Sequence, residues 1–334
     1  MSDKKFFLSS SPHFTFGLST QRIMLCVIIA LLPEVIYGCI TFGVAALIRI
    51  LVSVVCCVGF EALFQLITKQ KIRVSNLSAV VSGIMLALVC PSTVPVWQLI
   101  LGDAIAMIVA KGLFGGIGSN VFNPALTGRA FMFISFPAAM GASWQLPHSD
   151  VISSATVLSA SKTGTLVIDN QLLHDLFFGN VAGCIGETSA LMILISFVFL
   201  LVFHVIDWRA PLAMVATVTV CTLIAGDNVP FALLSGGLLF GATFMVTDYA
   251  TTPVTKGGRL VFGFGCGLIT FLIRKFGGYP EGVMFSILIM NAIAPFLNNI
   301  TSRKYGYGKK GNKKPQAPKI VMDFDVKNAK EETK

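Results

Sequence analysis

Charge is what this chain has least of. Only 12% of its 334 residues are Asp, Glu, Lys or Arg, about half the share of soluble domains, which excludes an ordinary water-soluble globular protein. Histidine is scarce, with four in all, and none of the eight cysteines forms a C-x-x-C pair. Cys26, Cys39, Cys56, Cys57, Cys90, Cys184, Cys221 and Cys266 all fall in apolar segments. That placement excludes a disulfide framework and a self-sufficient zinc, haem or iron–sulfur site, and leaves packing as the reading for most of them. A nicotinamide-binding glycine fingerprint is missing too. The first 22 residues are too polar for a secretory signal peptide, and read as a cytoplasmic tail.

Apolar runs fill the space that charge leaves. Hydrophobic residues make up 54% of the chain and the mean hydropathy is +0.79, so the fold class is an all-α polytopic membrane protein. Spans are expected at roughly 23–44, 46–68, 77–93, 97–113, 126–141, 182–206, 209–226, 229–247, 258–277 and 281–300. This divides the chain into a first membrane half (23–141), an external loop (142–181), a second membrane half (182–300) and a basic, disordered cytoplasmic tail (301–334). The net charge of +9 sits in membrane-flanking loops and in that tail, so it points to orientation rather than to nucleic acid. Lys69, Lys71, Arg73, Lys111, Arg129, Arg209, Lys256 and Arg259 inside place both termini inside, and Arg274 and Lys275 then break the rule. "VSGIMLALVCPSTVP" in the first half echoes "LSGGLLFGATFMVTDYATTP" in the second, a hint of an inverted repeat.

The external loop holds "DVISSATVLSASKTG", residues 150–164. A threonine hydroxyl can be esterified to a phosphate where small neighbours permit close approach. Ser153 and Ala155 beside Thr156 are small, and Asp150 can organise the turn. Taken alone, such a loop is usually a solvated connector. The spacing D-x-x-S-x-A-T, however, resembles the pattern at which flavin transferases attach FMN, with Thr156 as the acceptor.

Two further stretches break helices at membrane depth. "KGLFGGIGSNVFNPALTGRAF" (111–131) carries four close glycines and Asn123–Pro124; "FMVTDYATTPVTKGGR" (244–259) sets Asp248 among Thr247, Thr251, Thr252 and Thr255. Irregular backbone there lines a site or a pathway, or is a covered connector and helix cap. The acids Glu34, Glu61, Asp103 and Glu187 lie in or at the ends of spans, and each is a candidate for cation movement. An ion pair is open to Asp103 and Lys111, eight apart, and Glu187 suits a helix start. The lone "NPA" and the repeats leave a channel for a small neutral solute as the alternative.

"SSPH", "GFEAL", "SGIMLAL", "FGGIGSNVFNPA", the threonine loop, "GETSAL" and "TDYATTPVTKGGR" occur in the order found in one family. Over about residues 9–300 the chain resembles the D subunits of Rnf electron-transport complexes, to which the B subunits of sodium-pumping NADH:quinone reductases are related. The resemblance implies a translocase subunit passing electrons between ferredoxin and NAD partners, coupled to Na⁺ or H⁺ movement. It implies about ten helices as two inverted five-helix repeats, similar to urea transporters, in the bacterial inner membrane. It implies FMN on Thr156, and a non-covalent riboflavin sought near "SSSPHFTF" and the break with Asp248, Thr251 and Thr252. Partners implied are iron–sulfur and second flavin subunits, a flavin transferase and membrane lipid. Val157 departs from the family pattern, in which proline commonly follows the threonine.

Overall fold

The computed structural model describes residues 19–301 except Arg73, Asp150, Ser154 and Thr165. The expectations placed on "SSSPHFTF", on Asp150 and on the tail beyond 301 lie outside the described residues.

In chain order the helices of the first half are α1 (Thr20–Phe42), α2 (Val44–Ile67), α3 (Ser78–Leu88), α4 (Val96–Ala104), α5 (Pro124–Ser135) and α6 (Pro137–Gly141). A hairpin follows, β1 (Trp144–Gln145) and β2 (Ile152–Ser153), then α7 (Val157–Lys162) and α8 (Asn170–Phe178). The second half is α9 (Ala190–Val202), α10 (Arg209–Ala225), α11 (Val229–Leu234), α12 (Leu238–Phe240), α13 (Lys256–Phe276) and α14 (Val283–Thr301). Both α4 and α12 continue as wider π-helical turns, over Ile105–Gly112 and Gly241–Met245.

Four helices, α1, α2, α13 and α14, are long and apolar enough to cross a bilayer by themselves. The remaining expected spans are built differently. The 77–93 span is helical only to Leu88, because Pro91 and Pro95 remove backbone donors and stop the helix. The 182–206 span is helical only from Ala190. The 229–247 span is two pieces joined at Ser235, with Gly236 at φ +67°, a conformation that favours glycine. Hydropathy reads these windows as full spans, yet each is a half-helix joined to irregular backbone.

That irregular backbone is covered by protein, as it must be where water is absent. The amides of Ile185 and Gly186 donate to the carbonyls of Cys90 and Leu88 at 3.1 and 2.8 Å. The segment before α9 therefore completes the hydrogen bonding at the end of α3. It passes close to α1: a Cβ on Gly38 would lie 2.7 Å from the Ile185 carbonyl oxygen. Elsewhere α2 packs on α3 and α4, α4 on α5, α10 on α13 and α13 on α14, while α1 meets α9 and α5 meets α14 across the halves. One apolar core, including Leu31, Leu86, Leu126, Ile193 and Phe262, runs through both.

Gly38 and Gly59 test this coverage. Gly38→Ala should lower the thermal unfolding temperature of the detergent-purified chain, by overpacking worth about 1–3 kcal/mol. Gly59→Ala, where a Cβ meets nothing within 4 Å, should leave it unchanged or raise it, since alanine is the better helix former. Equal melting temperatures for the two variants would contradict the close approach.

Candidate functional site

The loop 142–181 is folded onto helices of both halves. Thr93 Oγ1 donates to Ser143 O at 2.6 Å, Ser92 Oγ to Gln145 Oε1 at 2.6 Å, and the His148 amide to Thr41 O at 2.9 Å. These bonds fasten the hairpin to the break after α3 and to the end of α1. Ser153 leaves the hairpin in a local turn: its hydroxyl donates to Ala155 O at 3.0 Å and accepts from the Ala155 amide at 3.3 Å. Thr156 comes next as the N-cap of α7, accepting from the Ser159 amide at 3.3 Å. Val157 takes the first helical position, the one best suited to proline, so the departure from the family pattern keeps the backbone course. At the other end of α7, Lys162 Nζ donates to the carbonyls of Gly277 and Tyr279, clamping the helix to the α13–α14 turn.

Thr156, half-buried, then sits on the wall of a cavity of about 330 Å³ between the loop and the two halves. Four aromatic rings share its lining, Trp144 and a group of three in which Phe133 and Tyr279 meet edge-to-face at 5.3 Å and Tyr279 and Phe285 lie 5.5 Å apart. Arg129, Glu187 and Glu281 supply its polar part. Arg129 on α5 pairs with Glu187 at 2.7 Å and with Glu281 at 3.5 Å, and its guanidinium also donates to Cys184 Sγ at 3.4 Å. Arg274 on α13 stands 4.0 Å from Glu281 and donates to the carbonyls of Ala232 and Ser235 at 2.7 and 3.0 Å. Glu281 in turn accepts from the Gly237 amide at the α11–α12 break. Two arginines and two glutamates thus form a neutral cluster in a largely water-free place, where unpaired charges would be prohibitive.

A second, smaller cavity of about 160 Å³ lies beside the other break. Ser78, Lys111, Asn120, Asn123 and Asp248 line it. Lys111 pairs with Glu61 at 2.8 Å and donates to Ser78 Oγ at 2.6 Å. Asn123 caps α5 through its side-chain oxygen and donates its amide to Asp248 at 3.3 Å. Thr251 donates to Asp248 at 3.2 Å, while Thr252 ties the break by donating to Val246 O at 2.6 Å. Of this stretch, Thr247 and Asp248 line the cavity, while Thr255 is the helix cap of α13.

The candidate acids separate. Glu187 belongs to the first cavity and Glu61 stands behind Lys111 at the second. Asp103 and Glu34 line neither. The ion pair open to Asp103 and Lys111 does not form: eight residues separate them by about 12 Å along the helix, and Lys111 pairs with Glu61 of α2 instead. Asp103 is bonded instead to Ser53 and Cys57. Glu34 is 2% exposed and neither carboxylate oxygen has a partner; the neighbouring Ser196 donates to Ala30 O at 2.6 Å. Arg129, which its place beside a glycine-rich loop marks as an inside charge, is buried in the ion cluster. Glu281, Tyr279 and Asn120 do not stand out in the sequence; the signal available was an acid or amide set among glycines at a helix start.

The family model described as NQR2, RnfD, RnfE matches residues 7–306. The chain belongs to this family. The D subunit of the Na⁺-translocating ferredoxin:NAD⁺ oxidoreductase complex of Acetobacterium woodii is 41% identical, with 92% of this chain and 98% of that one covered. The corresponding D subunit of the proton-translocating ferredoxin:NAD⁺ oxidoreductase complex of Clostridium ljungdahlii is 36% identical over 89% and 94%. That of an ion-translocating oxidoreductase complex of Stutzerimonas stutzeri is 35% identical over the same shares. As an NQR2, RnfD, RnfE family member with four helices able to cross a bilayer, the chain is a helical membrane protein.

Arg129→Ala leaves Glu187 and Glu281 without their shared partner and should destabilise the fold by about 3–5 kcal/mol. The double variant Arg129→Ala/Glu187→Ala should lose clearly less than the sum of the two single changes. Thermal unfolding of the three variants in detergent checks this, and additive losses would show that the cluster does not act as a unit.

Proposed function

We propose that this chain is the flavin-carrying membrane subunit of an Rnf-type ion-translocating ferredoxin:NAD oxidoreductase complex, with FMN held through a phosphoester on Thr156. The observation that carries this reading is the position of the Thr156 hydroxyl on the wall of an aromatic-lined cavity with a charged floor. The cavity volume of about 330 Å³ falls within the usual range for ligand pockets, roughly 300–1,000 Å³.

The residues fit the group. Ser153 and Ala155 keep the approach to Thr156 open, and Phe133, Tyr279 and Phe285 suit a flat ring system. When bound, FMN supplies a ring that takes up one or two electrons. The chain's own part is to tether it, to limit water around it, and to hold Arg129 as a fixed donor at the cavity floor. Asp150 is carried as part of the recognition pattern alone.

The smaller cavity suits the edge of a non-covalent flavin such as riboflavin. Asn120 has a buried side-chain oxygen without a partner there, and Asp248, backed by Thr251, adds an acceptor. The described walls enclose about 160 Å³, room for part of such a ligand only, so no step is assigned to it. Iron–sulfur and second flavin subunits would bring electrons in and pass them on, a flavin transferase would load Thr156, and lipid would cover the apolar outer helix faces. The relatives' names give Na⁺ for one and protons for another, so membership leaves the cation open, and Glu34, Glu61, Asp103 and Glu187 remain its candidate stations.

The same proposal includes ten membrane segments in two inverted repeats, the bacterial inner membrane, cytoplasmic termini and an outside loop 142–181. Matching contacts support the repeats: α1 meets α9 and α5 meets α14, and in each half a broken helix precedes a long one or a continuing one, α3 before α4 and α12 before α13. Orientation gains support from the apparent exceptions. Lys275 is paired with Asp227 at 2.6 Å and Arg274 stands beside Glu281, so these two cations are locally neutralised and weigh little against the positive-inside rule.

Mass spectrometry of chain produced together with a flavin transferase should find an FMN adduct, less one water, on the peptide holding Thr156. Flavin fluorescence should survive denaturation in the gel and vanish in Thr156→Ala. Bare Thr156 in cells where a control acceptor protein is flavinylated would overturn the assignment.

A further inference from the structure

Asp103 lies apart from both cavities, and its surroundings fix where a proton sits. The residue is 0% exposed, as are Ser53 and Cys57 on α2. Ser53 Oγ stands 2.6 Å from Asp103 Oδ1 and 2.9 Å from the Gly83 carbonyl oxygen. It reaches that carbonyl because α2 and α3 touch there: a Cβ on Gly83 would lie 2.9 Å from Ser53 O. A serine hydroxyl has one proton to give. It can donate to the carbonyl or to the carboxyl oxygen, not to both.

Both short contacts are hydrogen bonds only if the second proton comes from Asp103. The chain then runs in one direction: Asp103 Oδ1–H donates to Ser53 Oγ, and Ser53 O–H donates to Gly83 O. Cys57 S–H, 3.3 Å away, donates to Oδ1 as well. Asp103 Oδ2 is buried without a partner, tolerable for the neutral acid's carbonyl oxygen and very costly for half of a carboxylate. From this geometry we infer that Asp103 is a proton-binding site within the first membrane half, holding one proton while α2, α3 and α4 are packed as described.

The shell selects a proton over a metal cation. Hard cations take several oxygen ligands, whereas here the neighbours beyond Ser53 and Gly83 are the Cys57 thiol and the apolar Ala79 and Met107, which form a small buried cluster with it. Charged and titratable groups on the packed elements are otherwise engaged or neutral. On α2 these are Arg49, which donates to the carbonyls of Val94 at 2.7 Å and Ala45 at 2.8 Å, then Cys56, Cys57 and Glu61, the last paired to Lys111 of the π-helical turn; on α5 it is Arg129, paired to Glu187 and Glu281; after α3 it is Cys90. Among the described residues, no cation on these elements pairs with a bare Asp103 carboxylate. Loss of the proton therefore requires α2 and α4 to part, or water to enter between them, which links one proton to one helix movement. The chain's own hydrogen bonds impose this, whether or not Thr156 carries a flavin.

Infrared spectra of the full-length chain in detergent at neutral pH test it. The difference between wild type and Asp103→Asn should contain the carbonyl band of a protonated carboxylic acid. Ser53→Ala should move that band to higher wavenumber, because the acid loses its acceptor, and exchanging choline chloride for sodium chloride should leave it in place. Carboxylate bands in the difference overturn the inference. So does conversion of the acid band to carboxylate by sodium, which would make this a metal-cation site. If Asp103→Asn does not fold, the Ser53→Ala minus wild-type spectrum reads the same group. A shifted acid band then supports the inference, and a shifted carboxylate band, or no shifted band, overturns it.

Discussion

The structure depends on the buried cluster of Arg129, Glu187, Glu281 and Arg274. Its members come from α5, from the segment before α9, and from both sides of the α13–α14 turn. No local folding step can bring them together, and none can be left alone: removing any one strands a charge in a low-dielectric place. The cluster thus stabilises less through net attraction than through what it forbids. A different docking of the two halves would separate Arg129 from both acids at once. Glu281 also receives the Gly237 amide, so the same group that balances charge covers an exposed donor of a broken helix.

Broken helices and polar function come together here for one reason. An α-helix in lipid consumes its own backbone hydrogen-bonding groups and has nothing to offer a ligand. A break releases them. The break after α3 is closed by backbone amides of residues 185 and 186, and the cavity that Thr156 lines is walled by the adjoining residues Cys184 and Glu187. The break after the second π-helical turn is closed by Asp248, Asn123 and the threonines, and the smaller cavity forms there. Each cavity is the space left where a chain segment turns aside to cover another segment's ends. This is why Glu187, Glu281, Asn123 and Asp248 sit at breaks and helix ends, while Arg274 on α13 and Glu61 on α2 reach in from long helices.

Much of this was legible in the sequence, and the boundary of legibility is physical. Thr156 is singled out by the spacing D-x-x-S-x-A-T, and the turn of Ser153 and Ala155 before it is local. Asn123–Pro124 announces a break because proline acts on its own turn of helix; Pro91 lies inside the expected 77–93 span and the same signal applies to it. The half-length of α3 and the non-helical start of the 182–206 segment were hidden, since hydropathy counts apolar residues and does not ask whether the backbone is helical. Arg129 was misread because an arginine near a glycine-rich loop looks like a solvated charge, and its partners lie 58 and 152 positions away. The pairing of Asp103 with Lys111 failed for a subtler reason. Eight residues span about two helical turns, roughly 12 Å of axis, beyond the i+3 and i+4 reach of side-chain pairs, and Lys111 meets Glu61 of α2 instead.

That separation gives two acids on one seam opposite electrostatic fates. Ser53, Cys57 and Glu61 follow one another along one face of α2 at four-residue spacing. Lys111 forms an ion pair with Glu61 at 2.8 Å. Asp103 keeps only a hydroxyl and a thiol, which can share a proton but cannot balance a charge. The seam therefore holds an ion-paired position at Glu61 and a neutral, proton-bearing position at Asp103. A membrane protein that couples electron transfer to cation movement needs that contrast, because a fixed ion pair can guide a cation's approach while only a group that changes its charge state can answer a movement of the helices around it.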